Sequence, residues 1–252
     1  MGGVKDLRQG ETPPLAQRIL YEDNHLLIVN KTCSELVQGD KTGDVSLLEN
    51  LKEFIKVRDH KPGNVFLGLV HRLDRPTSGC VVYAKTSKAL SRLTESFRDR
   101  SVQKHYWAIT DIQATEVLGE GGEMSDWLRR NPKVNKSVTV PQGTRGAKHG
   151  VLRYSLGLRL DRYALWEVQL ETGRHHQIRV QFAARGFPLR GDLKYGAARS
   201  IPGGGIALHA RYLSVPHPTG QREVQVWADP RQVQGDTLWV QVGELLENLS
   251  AG

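Results

Sequence analysis

Apolar runs of strand length, each closed by turn residues, recur along most of this chain, and helical periodicity interrupts them only irregularly. Ile19-Leu20-Tyr21, a turn at Glu22-Asp23-Asn24-His25 and Leu26-Leu27-Ile28-Val29 read as a hairpin. Further strands are expected at Val65–Val70, Cys80–Lys85, residues 104–110, Val151–Leu158, Leu165–Leu170, Gly205–Val215 and Glu223–Trp227. Leu47, Leu48, Leu51, Phe54 and Ile55 fall at helical spacing over Ser46–Val57. Ser87 is placed to cap a helix through Phe97, with Leu90, Leu93 and Phe97 on one face. His175–Arg185 reads as a helix stopped by Gly186, and Leu238–Leu249 as a terminal one. Strands dominate, so the expected fold is α+β, built on a large mixed sheet flanked by helices and loops.

The first residues, to about Ala16, are polar and contain Pro13-Pro14, which reads as a flexible lead-in to one domain over residues 17–250. A formal charge of +8 favours a polyanionic partner, nucleic acid first. Two cysteines, Cys33 and Cys80, make no disulfide framework and fit a reducing, cytoplasmic setting. The N-terminus has no apolar core of signal-peptide length, no run could span a bilayer, and Asp6 stands where a myristoylation signal needs Ser or Thr. No membrane partner is expected, and a monomer is the default.

Chemistry concentrates in His71-Arg72-Leu73-Asp74-Arg75-Pro76-Thr77-Ser78-Gly79. Asp74 lies between two arginines, and nearby positive charge favours the ionised form of a carboxyl. Pro-Thr-Ser-Gly is turn chemistry, so the carboxylate is expected on a loop held by the strand that follows. Such a group suits a nucleophile or an anionic catalyst; the bland alternative is a structural ion pair at a strand entry.

In Lys104-His105-Tyr106-Trp107-Ala108-Ile109, strand alternation puts Tyr106 on a face with Lys104 and Ala108, and Trp107 with His105 and Ile109. Tyr106 could be a stacking platform for a base or an ordinary core tyrosine. In Glu171-Thr172-Gly173-Arg174-His175-His176-Gln177-Ile178-Arg179-Val180-Gln181-Phe182, a helix would put Arg179 on a side with His175 and His176. Its free N-terminal donors, with Arg174, would suit a phosphate. Adjacent histidines point apart and no further ligand has useful spacing, so no metal site is expected. Gly191-Asp192-Leu193-Lys194-Tyr195-Gly196 reads as a turn, and His209 as a satisfied core group. Between Trp127 and Leu160 there is no acid but many cations, among them Arg129, Arg130, Lys133 and Lys136. That segment is either a solvated loop or an RNA backbone contact.

The ordered set HRLDRPTSG, KHYWA and ETGRHHQIRVQ resembles the pseudouridine synthases of the RluA type, from Tyr21 (YEDNHLLIVNK) to Pro218. The resemblance implies the pseudouridine synthase catalytic fold, its large sheet mixed but mainly antiparallel, with an active-site cleft across the sheet. It implies isomerisation of specific uridines in structured RNA, ribosomal or transfer RNA, without a cofactor. It carries the catalytic aspartate to Asp74, the base-stacking tyrosine to Tyr106 and the basic partner of the aspartate to Arg179. Leu208 matches an apolar residue beside the base, and Arg72 and Arg174 are expected to serve the aspartate loop and RNA phosphates. The lead-in is too short for the S4-type RNA-binding domain of many relatives. The chain departs from the common pattern at Thr32, where Pro is frequent, at His175 for Thr, and at Gln181 for His.

Two other readings compete. An RNA-binding or RNA-remodelling protein on the same fold needs no catalysis, but gains little from a carboxylate beside phosphates. A glycosidase-like hydrolase needs two carboxylates about 5–10 Å apart, and only Asp74 stands out in the sequence.

Overall fold

A computed structural model describes residues 13–40, 42–233 and 235–251; the lead-in expected over residues 1–16 lies outside them as far as Thr12. Among the described residues eleven strands form a single sheet. In chain order these are β1 (Ile19–Glu22), β2 (Leu26–Lys31), β3 (Gly68–Leu69), β4 (Ser78–Ala84), β5 (Gln103–Asp111), β6 (Gly121–Asn131), β7 (Lys136–Val140), β8 (Lys148–Arg159), β9 (Tyr163–Leu170), β10 (Leu208–Pro216) and β11 (Glu223–Trp227). The helices are α1 (Leu15–Arg18), α2 (Leu47–Arg58), α3 (Ser87–Arg98), α4 (Ala114–Leu118), α5 (Gln177–Ala184) and α6 (Thr237–Ala251). Strand order is β1-β2-β4-β10-β5-β9-β8-β6-β7, with β11 on β10 and β3 on β4. Pairing is antiparallel except between β4 and β10, so the sheet is mixed and mainly antiparallel.

The parallel junction is short. Ser78 pairs with His209 and Gly79 with Ala210, and there β4 and β10 diverge. Gly79 has φ 112, and a Cβ on it would lie 2.3 Å from the Ala210 carbonyl oxygen, so only glycine permits this approach. The loop carrying Asp74 runs directly into this junction.

Buried apolar clusters hold the sheet. Leu47, Leu51 and Ile55 of α2 pack on Leu27, Val29, Val81 and Tyr83, in a cluster that continues through Trp166 to Ile178 and Phe182 of α5. Ala89 and Leu93 of α3 meet Leu26, Ile28, Cys80, Val82 and Leu213. Leu238, Trp239 and Val242 of α6 cover Ile109 and Leu165. Every residue of β2 and β4 is buried, because those strands are covered on both faces. No helix among the described residues is long and apolar enough to cross a membrane.

Several expected boundaries shift. The cap of α3 is Thr86, whose hydroxyl accepts from the Ala89 N–H at 3.1 Å, rather than Ser87. The strand expected over Val65–Val70 shrinks to Gly68–Leu69, which pairs with Ala84 and Tyr83; further along that edge the Val82 N–H donates to the His71 ring at 3.2 Å instead of to a strand. The helix expected from His175 starts at Gln177. The Gln177 side-chain oxygen accepts from the Thr172 hydroxyl at 2.7 Å and the Arg174 N–H at 3.0 Å, closing a turn that leaves His176 left-handed at φ 55. The acid-free segment is not a loop: it forms the end of β6, then β7 and β8, which flank β6 and pair antiparallel with it.

Candidate active site

A cleft of roughly 580 Å³ opens over the sheet, and Arg72, Asp74, Tyr106, Arg174, Arg179 and Leu208 all line it. Asp74 and Arg179, 105 positions apart in the chain, thus meet at one place.

Asp74 is partly exposed at the cleft floor, its loop closed by the Thr77 N–H donating to the Asp74 carbonyl at 3.0 Å. The loop is also tied from beneath. The buried Lys31 ammonium donates to the carbonyls of Thr32 at 2.7 Å, Glu35 at 2.9 Å and Arg75 at 3.1 Å. Burial pulls the Lys31 amine down to about 7, with the Glu35 charge opposing the shift. Thr32, at the position where proline is frequent, donates its N–H to Glu35 at 3.0 Å, a bond that proline could not make.

The guanidinium that meets Asp74 comes from α5, not from its sequence neighbours. Arg75 points away, to Asp44 at 2.8 Å and the Ser34 carbonyl at 2.9 Å. Arg179 Nη1 donates to Asp74 Oδ2 at 3.1 Å, while its Nε and Nη2 grip Asp192 in a fork at 2.7 and 2.8 Å. Burial opposes the Arg179 charge, but the bonds to Asp192 and the charges of Asp192 and Asp74 outweigh it and raise its pKa. Tyr195 lies beneath, its ring 5.1 Å from the guanidinium carbon. Asp192 and Tyr195 both sit in the stretch read from sequence as a turn. That segment does turn, as a short 3₁₀ helix over Leu193–Tyr195, and thereby delivers both groups under Arg179. Asp192 is a second carboxylate near Asp74, yet it is only 1% exposed and both oxygens are taken, which denies it the acid–base part of a glycosidase pair.

The histidines do not share a helical side with Arg179, since both precede α5; nor do they point apart. Their rings stack at 3.8 Å. His175 bonds Ser137 Oγ at 2.8 Å and Asn135 Oδ1 at 3.1 Å, docking the β6–β7 arm on the cleft. His176 Nε2 lies 3.5 Å from Asp74 Oδ2, and its Nδ1 meets the Tyr195 hydroxyl at 2.9 Å. Burial first, then the Arg179 charge, hold His176 down at about 2, so it is neutral beside Asp74. Gln181, the third departure, ties α5 to β6 through the Met124 carbonyl at 3.1 Å and Asp126 at 2.7 Å. The start of α5 offers no open phosphate cradle: Gln177 and Ile178 are buried, and the Gln177 N–H donates to the Arg174 carbonyl at 3.1 Å.

Tyr106 is 7% exposed and faces the cleft with Lys104, while Ile109 packs under α6 and Trp107 beside it, as strand alternation requires. Burial, then the Asp74 charge, push the Tyr106 phenol well above its ordinary value, so it is neutral in the free protein. His209 is a satisfied core group, between Ser78 Oγ at 2.7 Å and the Ala228 carbonyl at 3.0 Å. The rim is cationic. Arg72, Arg98, Arg100, Lys104 and Arg174 line it, joined by Arg130 from the acid-free segment. Among the described residues no group of three His, Cys or carboxylate side chains could hold a metal ion.

A buried arginine fork under one accessible carboxylate, a neutral tyrosine beside it and a rim of cations describe a site for polyanion chemistry. Comparison with known proteins agrees. Residues 25–184 match the family described as RNA pseudouridylate synthase. The chain is 34% identical over 239 residues to an uncharacterized RNA pseudouridine synthase, YlyB, of Bacillus subtilis, covering 94% of this chain and 74% of that one. It is 32% identical over 241 residues to ribosomal large subunit pseudouridine synthase D of Xylella fastidiosa, covering 89% and 70%. Among solved structures, human RNA pseudouridylate synthase domain containing 4 superposes with a TM-score of 0.72 at 25% identity, over 90% of this chain and 94% of that one. Human RNA pseudouridylate synthase domain containing 1 gives 0.67 at 26%, over 89% and 87%. The chain therefore belongs to the RNA pseudouridylate synthases, in their RluA-type branch, and is an isomerase acting on uridine in RNA.

Proposed function

We propose that Asp74 is the catalytic carboxylate of this isomerase and that its substrate is a structured RNA of the large ribosomal subunit. The observation carrying the first part is the shared Arg179, which fixes one Asp74 oxygen at 3.1 Å and leaves the carboxylate open to the cleft. The relatives named for the ribosomal large subunit support the second over transfer RNA. In the reaction the bond from uracil N1 to ribose C1′ breaks, the base turns, and C1′ joins C5, which loses its proton while N1 takes one up. A carboxylate promotes the first step by attack on C1′ or by taking the C2′ proton, and both routes use the exposed oxygen of Asp74.

Tyr106 stacks on the flipped uracil, and Leu208 packs beside it. Arg72, Arg174 and Arg130 take phosphates of the RNA around it. Extruding the uridine from folded RNA costs a few kcal/mol, which stacking and backbone charge offset. Residues 17–250 act as one catalytic domain, as a single chain and in the cytoplasm; the two free, buried cysteines are compatible with reducing conditions. The non-catalytic binder finds no support in this site, since a binder gains nothing from the buried Arg179–Asp192 pair beneath Asp74.

The test is to incubate unmodified large-subunit ribosomal RNA and transfer RNA transcripts with the protein and map pseudouridine in each. Conversion of a defined ribosomal uridine, absent with Asp74→Ala, is expected. Conversion confined to transfer RNA removes the ribosomal assignment, and equal conversion by both proteins removes Asp74.

A further inference from the structure

Behind the catalytic cleft, one row of side chains crosses the sheet in register. Trp227 pairs with Tyr212, Tyr212 with His105, His105 with Gln169, and Gln169 with Arg153. Cross-strand partners project on the same side, and two residues along each strand the same face carries Trp107 and Glu167. The result is a trough of roughly 610 Å³, walled by rings and floored by polar groups. The rings are contiguous: Trp227 lies 4.9 Å from Tyr212 and Tyr212 lies 5.1 Å from His105. At the other wall the Arg211 guanidinium sits 4.6 Å over Trp107. Trp227 is 56% exposed, an expensive indole to leave in water.

A smaller depression lies between the cleft and the trough and shares arginines with each. Arg100 and Arg174 line the cleft and also this depression, and Arg153 lines the depression and the trough. Arg153 is exposed and held only loosely, 3.6 Å from Glu123 and 3.9 Å from Glu171. A chain of guanidinium groups therefore runs from the uridine site round the sheet to the aromatic wall.

We propose that this trough is a second RNA-binding surface, which stacks an unpaired nucleobase of the substrate on Trp227 and Tyr212 while Arg100, Arg174 and Arg153 carry the connecting backbone. The proposal rests on RNA being the substrate, and not on the roles given to Asp74 and Tyr106. A nucleobase fits because it offers a flat face to the rings and an edge of donors and acceptors to Glu167 and Gln169. An apolar protein segment would offer no hydrogen-bond partner to Glu167 and Gln169. The carboxylates beside Arg153 limit its pull on phosphate, so stacking supplies most of the affinity at this end.

The test uses the full chain and a short single-stranded RNA carrying a fluorophore and one 5-iodouridine. Trp227→Ala should weaken binding about fivefold or more, the loss of one base–aromatic stack. Trp227→Phe should restore most of it, and ultraviolet cross-linking should attach the wild-type protein to the RNA at Trp227 or Tyr212. Tritium release at saturating ribosomal RNA should be unchanged in Trp227→Ala, with KM raised. Binding by Trp227→Ala within twofold of wild type overturns the proposal. So does a concentration-dependent dimer that Trp227→Ala abolishes, because the trough would then seat a second copy.

Discussion

Asp192 offers the sharpest energetic test of the site. It is 1% exposed and receives two bonds from Arg179, which is itself buried, so Asp192→Ala leaves a guanidinium in the interior with Asp74 as its one remaining counter-ion among the described residues. At about 4 Å and an effective dielectric of 20, the lost attraction is roughly 4 kcal/mol. Removing one partner of a buried pair costs about 3–5 kcal/mol in general. For a chain of this length each kcal/mol moves Tm by about 2–4 °C, so Asp192→Ala should melt about 6–20 °C below wild type. Replacing both partners with apolar groups, Arg179→Met with Asp192→Leu, removes the stranded charge and should recover most of that loss. It should still fail to turn over RNA, because Asp74 has lost its anchor. Thermal unfolding followed by circular dichroism, alongside tritium release from RNA labelled at uridine C5, reads both effects. A Tm for Asp192→Ala within about 2 °C of wild type would refute the reasoning.

Three more outcomes are expected. His176, His71 and His209 are held neutral by burial, at about 2, about 3 and about 3. Their folded pKa values lie below the unfolded value of 6.5, so the unfolded chain binds more protons as pH falls below 6.5, and stability drops. At pH 5 the loss is roughly 2 kcal/mol for each; a Tm that does not fall between pH 7 and pH 5 contradicts their burial. Tyr106→Phe should bind RNA with near wild-type affinity and release tritium at least about tenfold more slowly; equal rates would reduce Tyr106 to a core aromatic. Charge reversal at Arg129 and Arg130 should weaken RNA binding and flatten its log–log salt dependence by about 0.7 for each phosphate no longer neutralised; an unchanged slope takes the acid-free arm out of the interface.

Sequence and structure agree where the chemistry is local. The Asp74 loop reads as a carboxylate on a turn because Pro76-Thr77-Ser78-Gly79 are turn residues, and Gly79 is indeed forced by the β4–β10 approach. Strand alternation alone gives Tyr106 its face, and all six expected site residues line one cleft. Failures occur where a side chain's partner is distant. Asp192 between Gly191 and Leu193 looks like any turn acid until the loop after Pro188 folds under α5 and meets Arg179. The flanking arginines of Asp74 suggest its charge partner, yet Arg75 turns outward and the partner comes from Arg179. The His175-His176 pair fits a helical pattern, but Gln177 closes a local turn that periodicity does not reveal. Pairing across five strands is likewise what brings Trp227 and Arg153, far apart in the chain, onto one face.

The central claim is that the Asp74 carboxylate, gripped by Arg179, does the chemistry. Single-turnover tritium release from C5-labelled ribosomal RNA by Asp74→Asn tests it most directly, because the amide keeps the size and loses the charge. Binding close to wild type with no release above background is the expected result. Release at the wild-type rate would contradict the account.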